Sequence, residues 1–268
     1  MELFNELKGQ REQDVEDFLT FIPIYQSKRR ISSLTALLKR HRKHIRGKVV
    51  MEAGAGRGIF SRLMAEMGAK EVLAVEQSEV LYELLGGTVE NHPTVQCHLD
   101  DIRDFEPAEP VSLLFHELYG PLVLDETILA LRELKFEPGM IVPDGGRLWA
   151  MPISEAQILE KDPQYEPLWA DNLQGALISD LITGIPFVPK WQVFDWNVAS
   201  DQVAFEFELP EDCDFIALCG EITHQGKNVL KMWWTHNWPV IYTPVAGKRF
   251  KLRFRYAGGY TRVYFEWM

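Results

Sequence analysis

Residues 48–76 open with Lys48-Val-Val-Met51, pass through Glu52-Ala-Gly-Ala-Gly-Arg-Gly58, and close with Val72-Leu-Ala-Val75 ahead of Glu76. The first apolar run reads as a strand, the segment through Ile59, Leu63 and Met64 as an amphipathic helix, and the second run as another strand. Strand, glycine turn, helix and strand ending in an acid is the opening of a doubly wound α/β sheet. Gly54, Gly56 and Gly58 let the backbone turn tightly at a strand end and admit a ligand where a Cβ would clash. Glu76, about 20 residues on, sits at the tip of the next strand, where a carboxylate accepts hydrogen bonds from both hydroxyls of a ribose. The pattern therefore points to an adenosine-type ligand.

The alternation continues on both sides of this core. Residues 11–46 carry Phe18, Phe21, Ile24, Tyr25, Ile31, Leu34, Leu37 and Leu38 at helical spacing. Downstream, Ser78–Thr88 reads as helix, Val95–His98 and Val111–Phe115 as strands, and Thr127–Leu134 as helix, with Pro138-Gly139 turning into Met140–Pro143. After about Arg147 the texture changes to short aromatic strands: Val203–Leu209, Phe215–Cys219, Val229–Trp234 and Phe250–Tyr256. Residues 248–256 alternate almost strictly between charged and apolar, so this half reads as all-β, a barrel or a sandwich. Glu155–Leu181 is partly helical.

Composition narrows the classes further. With 268 residues, 46% apolar and 12% aromatic, the chain has enough apolar material for two packed domains, which excludes disorder, a coiled coil or a disulfide-stapled miniprotein. No run approaches the ~18–20 apolar residues of a membrane span. The charged amino terminus is unlike a signal peptide, so a cytoplasmic protein without a membrane partner is expected. Cys97, Cys213 and Cys219 lack metal spacing and read as free thiols, and no metal is expected. A net charge of -11 argues against a general nucleic-acid binder, so no nucleic-acid partner is expected. The nine Lys and Arg between Lys28 and Lys48 read as a solvated helix face.

Nicotinamide dinucleotides and S-adenosylmethionine both satisfy a glycine turn followed by a distant acid, but the dinucleotide spacing G-x-G-x-x-G is absent because the third glycine comes one position early, at Gly58. The spacing E-x-G-x-G-x-G resembles the first motif of class I S-adenosylmethionine-dependent methyltransferases, and Asp101-Ile102 stands where that fold contacts adenine. Leu113-Leu-Phe-His-Glu117-Leu-Tyr-Gly-Pro-Leu-Val-Leu-Asp-Glu126 resembles the two-glutamate loop of protein arginine methyltransferases. Phe136-Glu-Pro-Gly-Met-Ile-Val-Pro-Asp144 resembles the strand entry that follows it. Arg30 resembles the arginine that pairs with the cofactor carboxylate, with Arg29 beside it as the alternative. Trp234-Thr-His236-Asn-Trp238 resembles the family's Thr-His-Trp loop with Asn237 inserted, and Tyr25 is the nearest match to its aromatic amino-terminal signature.

The resemblance implies a short, divergent member with an amino-terminal helical segment over 1–46. A seven-stranded Rossmann-like cofactor domain over 47–147 and a β-barrel substrate domain over 148–268, with a short helical arm near 155–185, would follow it. It implies S-adenosylmethionine as cofactor, held by Arg30, Gly54, Gly56, Gly58, Glu76, Asp101 and Ile102. Glu117 and Glu126 become the guanidinium clamp, His236 a later proton acceptor, and Trp238 and Tyr25 substrate contacts. The implied reaction is methyl transfer to an arginine guanidino nitrogen in a protein or peptide. Free arginine or another small guanidino or amine metabolite is the alternative acceptor, and a non-catalytic scaffold of the same fold is a second alternative. The short arm leaves the family's homodimer open.

Charge is distributed to match. Between Glu52 and Glu221 lie 32 acids and only nine Lys or Arg, whereas Ile222–Phe265 holds eight Lys or Arg and no acid. The acidity surrounds the residues proposed to meet a cation.

Overall fold

Strand β1 (Val49–Ala53) is buried at every position, as a strand covered on both faces must be. It is the centre of a parallel sheet, in a computed structural model that describes Val15 and residues 24–166 and 168–268. Of the helix predicted over 11–46, residues 11–14 and 16–23, Phe18 and Phe21 among them, lie outside the described residues. The chain divides into two units, one holding the residues up to Glu117 together with Glu133–Pro143, the other Leu118–Arg132 together with Asp144–Met268. The division therefore falls just before Asp144 rather than after Arg147, and it gives the loop carrying Glu126 to the second unit.

In the first unit, α1 (Lys28–Arg40) starts at Ser27, whose side chain accepts from the Arg30 amide at 3.4 Å, and buries Arg30, Leu34, Leu37 and Leu38. The continuous helix expected through residue 46 breaks at His41, where φ -97° and ψ 16° leave helical geometry, and resumes only as α2 (Arg42–Ile45). Lys39 and Arg40 in the last turn of α1 complement its dipole. After β1 come α3 (Ile59–Glu66), β2 (Glu71–Glu76), α4 (Glu79–Val89), β3 (Val95–Leu99), β4 (Leu113–His116) and β5 (Ile141–Val142). The order is β3-β2-β1-β4-β5. The sheet thus has five strands rather than the expected seven, because the chain leaves it after Val142 and enters the antiparallel β6 (Gly145–Ile153) of the second unit. Since β1 is flanked by β2 on one side and β4 on the other, the strand order reverses there, and a doubly wound sheet opens its ligand crevice at that point, beyond the carboxyl ends of β1 and β4.

The second unit continues with α5 (Glu155–Lys161), α6 (Leu168–Asn172), β7 (Ile178–Ser179), β8 (Trp191–Asn197), β9 (Ala204–Glu208), β10 (Phe215–His224), β11 (Lys227–Lys231), β12 (Ile241–Pro244), β13 (Arg249–Ala257) and β14 (Tyr260–Trp267). These form two antiparallel sheets, β7-β12-β10-β6-β8 with β11 beside β10, and β14-β13-β9. The expected barrel is therefore not closed: among the described residues no ladder joins β8 to β9 or β14 to β7. Aromatic packing holds the sheets instead, with Phe194 stacked on Phe205 at 4.0 Å and Phe254 edge-on to Phe194 at 6.2 Å. The strand expected over Val229–Trp234 ends at Lys231 and turns into a short 3-10 segment. Thr127–Leu134 is also 3-10, over Ile128–Arg132, because Ile128, Leu129, Ala130 and Leu131 are buried in succession rather than along one helical stripe.

Phe115 on β4 is fully buried against Phe60 of α3, with ring centroids 4.7 Å apart. Phe115→Ala should therefore destabilise the first unit by about 3–5 kcal/mol in denaturant titration. A loss below about 1 kcal/mol would mean that this core collapses to fill the cavity.

Candidate active site

The turn after β1 takes its shape from glycine. Gly54, Gly56 and Gly58 have φ of +65°, +52° and +72°, a region where side chains bearing a Cβ are strained. Space matters as well: a Cβ on Gly58 would lie 2.4 Å from Leu85, and one on Gly56 would meet the Tyr25 hydroxyl at 1.9 Å. Glu76 at the end of β2 secures this turn. One of its oxygens accepts from the Gly56 amide at 2.7 Å and the other from the Ser78 amide at 2.9 Å.

Tyr25 lies on the same turn. Its hydroxyl accepts from the Arg57 amide at 2.8 Å, and the Arg57 guanidinium sits 5.4 Å from its ring centroid. Burial raises the Tyr25 phenol well above its ordinary range. The structure thus places Tyr25 on the glycine turn, in the first unit. Glu52, the last acid before the turn, is buried and accepts a short hydrogen bond from the Ser61 hydroxyl. Burial pushes its carboxyl up to about 8, with the Ser61 bond pulling the other way.

Glu117 follows directly on β4, beside Ala53 of β1 through the His116 pairing. Its Oε1 accepts from Arg30 Nε at 2.5 Å, the two side chains being 15% and 4% exposed. Burial raises the Glu117 carboxyl, and the charge and hydrogen bond of Arg30 oppose that rise. Arg30 rather than Arg29 is the inward arginine: Arg29 is exposed. His116, fully buried, has its Nε2 2.8 Å from the Pro143 carbonyl and braces the end of the same strand. Asp101, after β3, gives its carboxylate to Arg103 at 2.5 and 3.1 Å, a hydrogen bond that lowers its carboxyl, while Ile102 is buried.

Glu126 is exposed, in the loop that opens the second unit. Four anchors hold that loop within its unit. Trp238 Nε1 donates to the Tyr119 carbonyl at 2.8 Å, the Tyr119 hydroxyl to the Gly145 carbonyl at 3.0 Å, and the Thr261 hydroxyl to the Glu126 carbonyl. Val123 supplies the fourth: its φ is +76°, a strained value for a β-branched residue, and its methyls fill space that a Cβ on Gly146 or Gly220 would need, at 2.5 and 3.0 Å. Asp125 accepts from the Leu122 amide at 2.8 Å, and burial pushes its carboxyl up to about 7. Trp238 is thus buried as a brace for the acid loop. His236 is exposed, and the inserted Asn237 has both amide atoms buried without a hydrogen-bond partner among the described residues.

Sequence reasoning missed Glu52–Ser61, Val123, Thr261 and Asp125. Ser61 lies nine positions beyond Glu52 on the next helix, and nothing local marks the pairing. Gly146 and Gly220, which receive Val123, sit on two strands far apart in sequence, so only Gly145-Gly146 opening β6 hinted at a close approach.

No protein-family model matches the chain. Curated proteins do. A probable protein arginine N-methyltransferase 6.1 from Oryza sativa subsp. indica is 31% identical over 150 residues, 53% of this chain and 38% of the relative. A probable histone-arginine methyltransferase 1.4 from Arabidopsis thaliana is 31% identical over 210 residues, 68% of this chain and 39% of the relative. The matched segment therefore spans about two fifths of these relatives. Among solved structures, PRMT6-SAH superimposes with a TM-score of 0.68 at 13% identity, covering 93% of this chain and 99% of that one. The Trypanosoma brucei PRMT1 enzyme-prozyme heterotetrameric complex with AdoHcy gives 0.66 at 15%, covering 91% and 96%. At such identities the structural likeness establishes the fold.

The buried Glu52 carboxyl yields a test. It holds its proton more tightly folded than unfolded, so its contribution to stability is complete below its ordinary value of 4.5 and is lost as pH rises towards about 8. Glu52→Gln removes that loss. The fall in unfolding free energy between pH 5 and pH 8 should shrink, by an amount on the order of a few kcal/mol, in urea titrations at both pH values. An unchanged pH dependence would contradict a buried, protonated Glu52.

Proposed function

We propose that this chain, a relative of the protein arginine N-methyltransferases, transfers a methyl group from S-adenosylmethionine to a guanidino nitrogen of arginine in a protein or peptide. The observation that carries the reading is Glu117, held by buried Arg30 at the switch point of the sheet and followed by Glu126 in a loop braced at both ends. The names of the curated relatives favour a protein acceptor over free arginine.

The first unit carries the residues suited to the cofactor. Positive φ at glycines 54, 56 and 58 shapes the turn that would receive an adenosyl group, and Glu76, at the tip of the neighbouring strand, would meet its ribose. Asp101 and Ile102 would flank the adenine, and Arg30, held beside the switch point by Glu117, would bind the amino-acid carboxylate. When bound, S-adenosylmethionine supplies an electrophilic sulfonium methyl.

Acceptor chemistry explains the two glutamates. A guanidinium is a poor nucleophile because its lone pairs are delocalised, and its pKa above 12 prevents simple deprotonation. Glu117 and Glu126, accepting from its donors, would fix one terminal nitrogen for in-line attack and localise positive charge on the others. They also offset the repulsion between two cations, about 4 kcal/mol at 4 Å in an effective dielectric near 20. Burial favours the protonated form of Glu117, and the charge and hydrogen bond of Arg30 oppose it in favour of the ionised form this requires. The methylated nitrogen then sheds its proton, to exposed His236 or to water.

Labelled S-adenosylmethionine should methylate an arginine-rich peptide, leave the same peptide with lysine in place of arginine unlabelled, and label free arginine far less. Glu117→Gln and Glu126→Gln should each lower kcat by about 10³-fold or more, and Glu126→Gln should still bind S-adenosylhomocysteine like wild type. Labelling of the lysine peptide, no transfer to any acceptor, or full activity in either variant would contradict the assignment.

A further inference from the structure

The second unit carries a surface unrelated to this chemistry: the outward face of the β13–β14 hairpin. Strand alternation puts Phe250, Leu252 and Phe254 in the core and Arg253 and Arg255 outside. On β14 the matching outward residues are Tyr260, Arg262 and Tyr264. The register sets Arg253 opposite Tyr264, Arg255 opposite Arg262, and Ala257 opposite Tyr260. All except Ala257 present large polar or aromatic groups to solvent, and Tyr260 is 49% exposed.

Three features of this face are unusual. First, like charges directly across an antiparallel pair are unfavourable, yet Arg255 faces Arg262. Second, among the described residues no carboxylate pairs with Arg253, Arg255 or Arg262, whereas neighbouring Lys251 is matched by Glu206 at 3.1 Å and faces Glu266. Third, the guanidinium groups are organised by aromatic rings: Arg253 lies 4.6 Å from the Tyr264 centroid, and Arg262 lies 5.3 Å from that of Tyr260 while donating to its hydroxyl at 2.6 and 3.2 Å. A groove of about 710 Å³ runs beside them, lined in part by Leu177, Lys251, Arg253, Tyr264 and Glu266.

We infer that this face binds single-stranded nucleic acid. Uncompensated guanidinium groups suit phosphates, and the tyrosine rings and guanidinium planes provide stacking surfaces that unpaired bases use and an acidic peptide does not. Successive outward pairs are two residues apart along the strands, about 6.7 Å, a repeat suited to an extended strand. The chain's net charge of -11 opposes general polyanion binding, which confines the interaction to this face and to modest affinity.

Fluorescence anisotropy of the full chain with labelled 12-residue oligo-U and oligo-dT at 50 mM salt tests the inference. Saturable binding is expected in the range of about 10⁻⁴–10⁻⁶ M. Three phosphate contacts predict about 20-fold weakening between 50 and 200 mM salt. Arg255→Glu combined with Arg262→Glu should weaken binding at least tenfold. Tyr264→Ala should weaken it about fivefold or more while leaving binding to a sulfated polysaccharide unchanged. These side chains are exposed, and circular dichroism verifies that each variant folds. No saturable binding at 100 µM protein, equal binding of polyglutamate, or wild-type affinity in Tyr264→Ala would each overturn the inference.

Discussion

A buried guanidinium needs a carboxylate partner, and Arg30 finds it in Glu117, 87 residues along the chain. Removing one member of such a pair costs about 3–5 kcal/mol, because the other is left as an uncompensated buried charge. The pair therefore ties α1 to the carboxyl end of β4. In the proposed function it would also link two tasks in one contact, Arg30 meeting the cofactor carboxylate and Glu117 the acceptor guanidinium. Glu117 would sink towards its protonated form without Arg30, and a protonated carboxyl accepts poorly from a guanidinium.

The remaining site follows from the sheet. Parallel strands that reverse order between β2 and β4 leave their carboxyl ends open, and the chain places its glycine turn after β1 and Glu117 after β4, on adjacent strands. Glu76 then fastens the turn from the third side. In the second unit, strain is concentrated in the loop that carries Glu126: Val123 sits at a φ it would not choose, and the small residues Gly146 and Gly220 make room for it. Strain of that kind persists only where surrounding contacts overdetermine the conformation. Trp238, Tyr119 and Thr261 supply those contacts.

Much of the first unit was legible because its signals are local. Glycines at alternate positions after an apolar strand and an acid at the tip of the next strand each declare themselves within a short window, and the stretch from Leu113 to Glu126, which runs on into the second unit, was marked by its resemblance to a family loop. Arg30 was marked by its resemblance to the family's cofactor-carboxylate arginine, but only burial separates it from Arg29. The strand count and the barrel were misjudged for a common reason. Apolar periodicity reports that a segment is a strand, not which neighbour it pairs with, so neither the five-stranded edge at β5 nor the separate β14-β13-β9 sheet could be read from it. Glu52 looked like the first letter of a motif, and its proton-holding environment depends on Ser61 across a helix. The roles of Trp238 and Tyr25 as braces likewise arise from contacts far apart in sequence.

In the proposed function Arg30 would hold the cofactor carboxylate in a position set by Glu117, so that the two residues are energetically coupled in cofactor binding. Calorimetric titration of S-adenosylhomocysteine into wild type, Arg30→Met, Glu117→Gln and the double variant measures this directly. Arg30→Met should weaken binding by about tenfold or more, and the double variant should depart from additivity by about 1 kcal/mol or more. Wild-type affinity in Arg30→Met, together with additive effects, would contradict it.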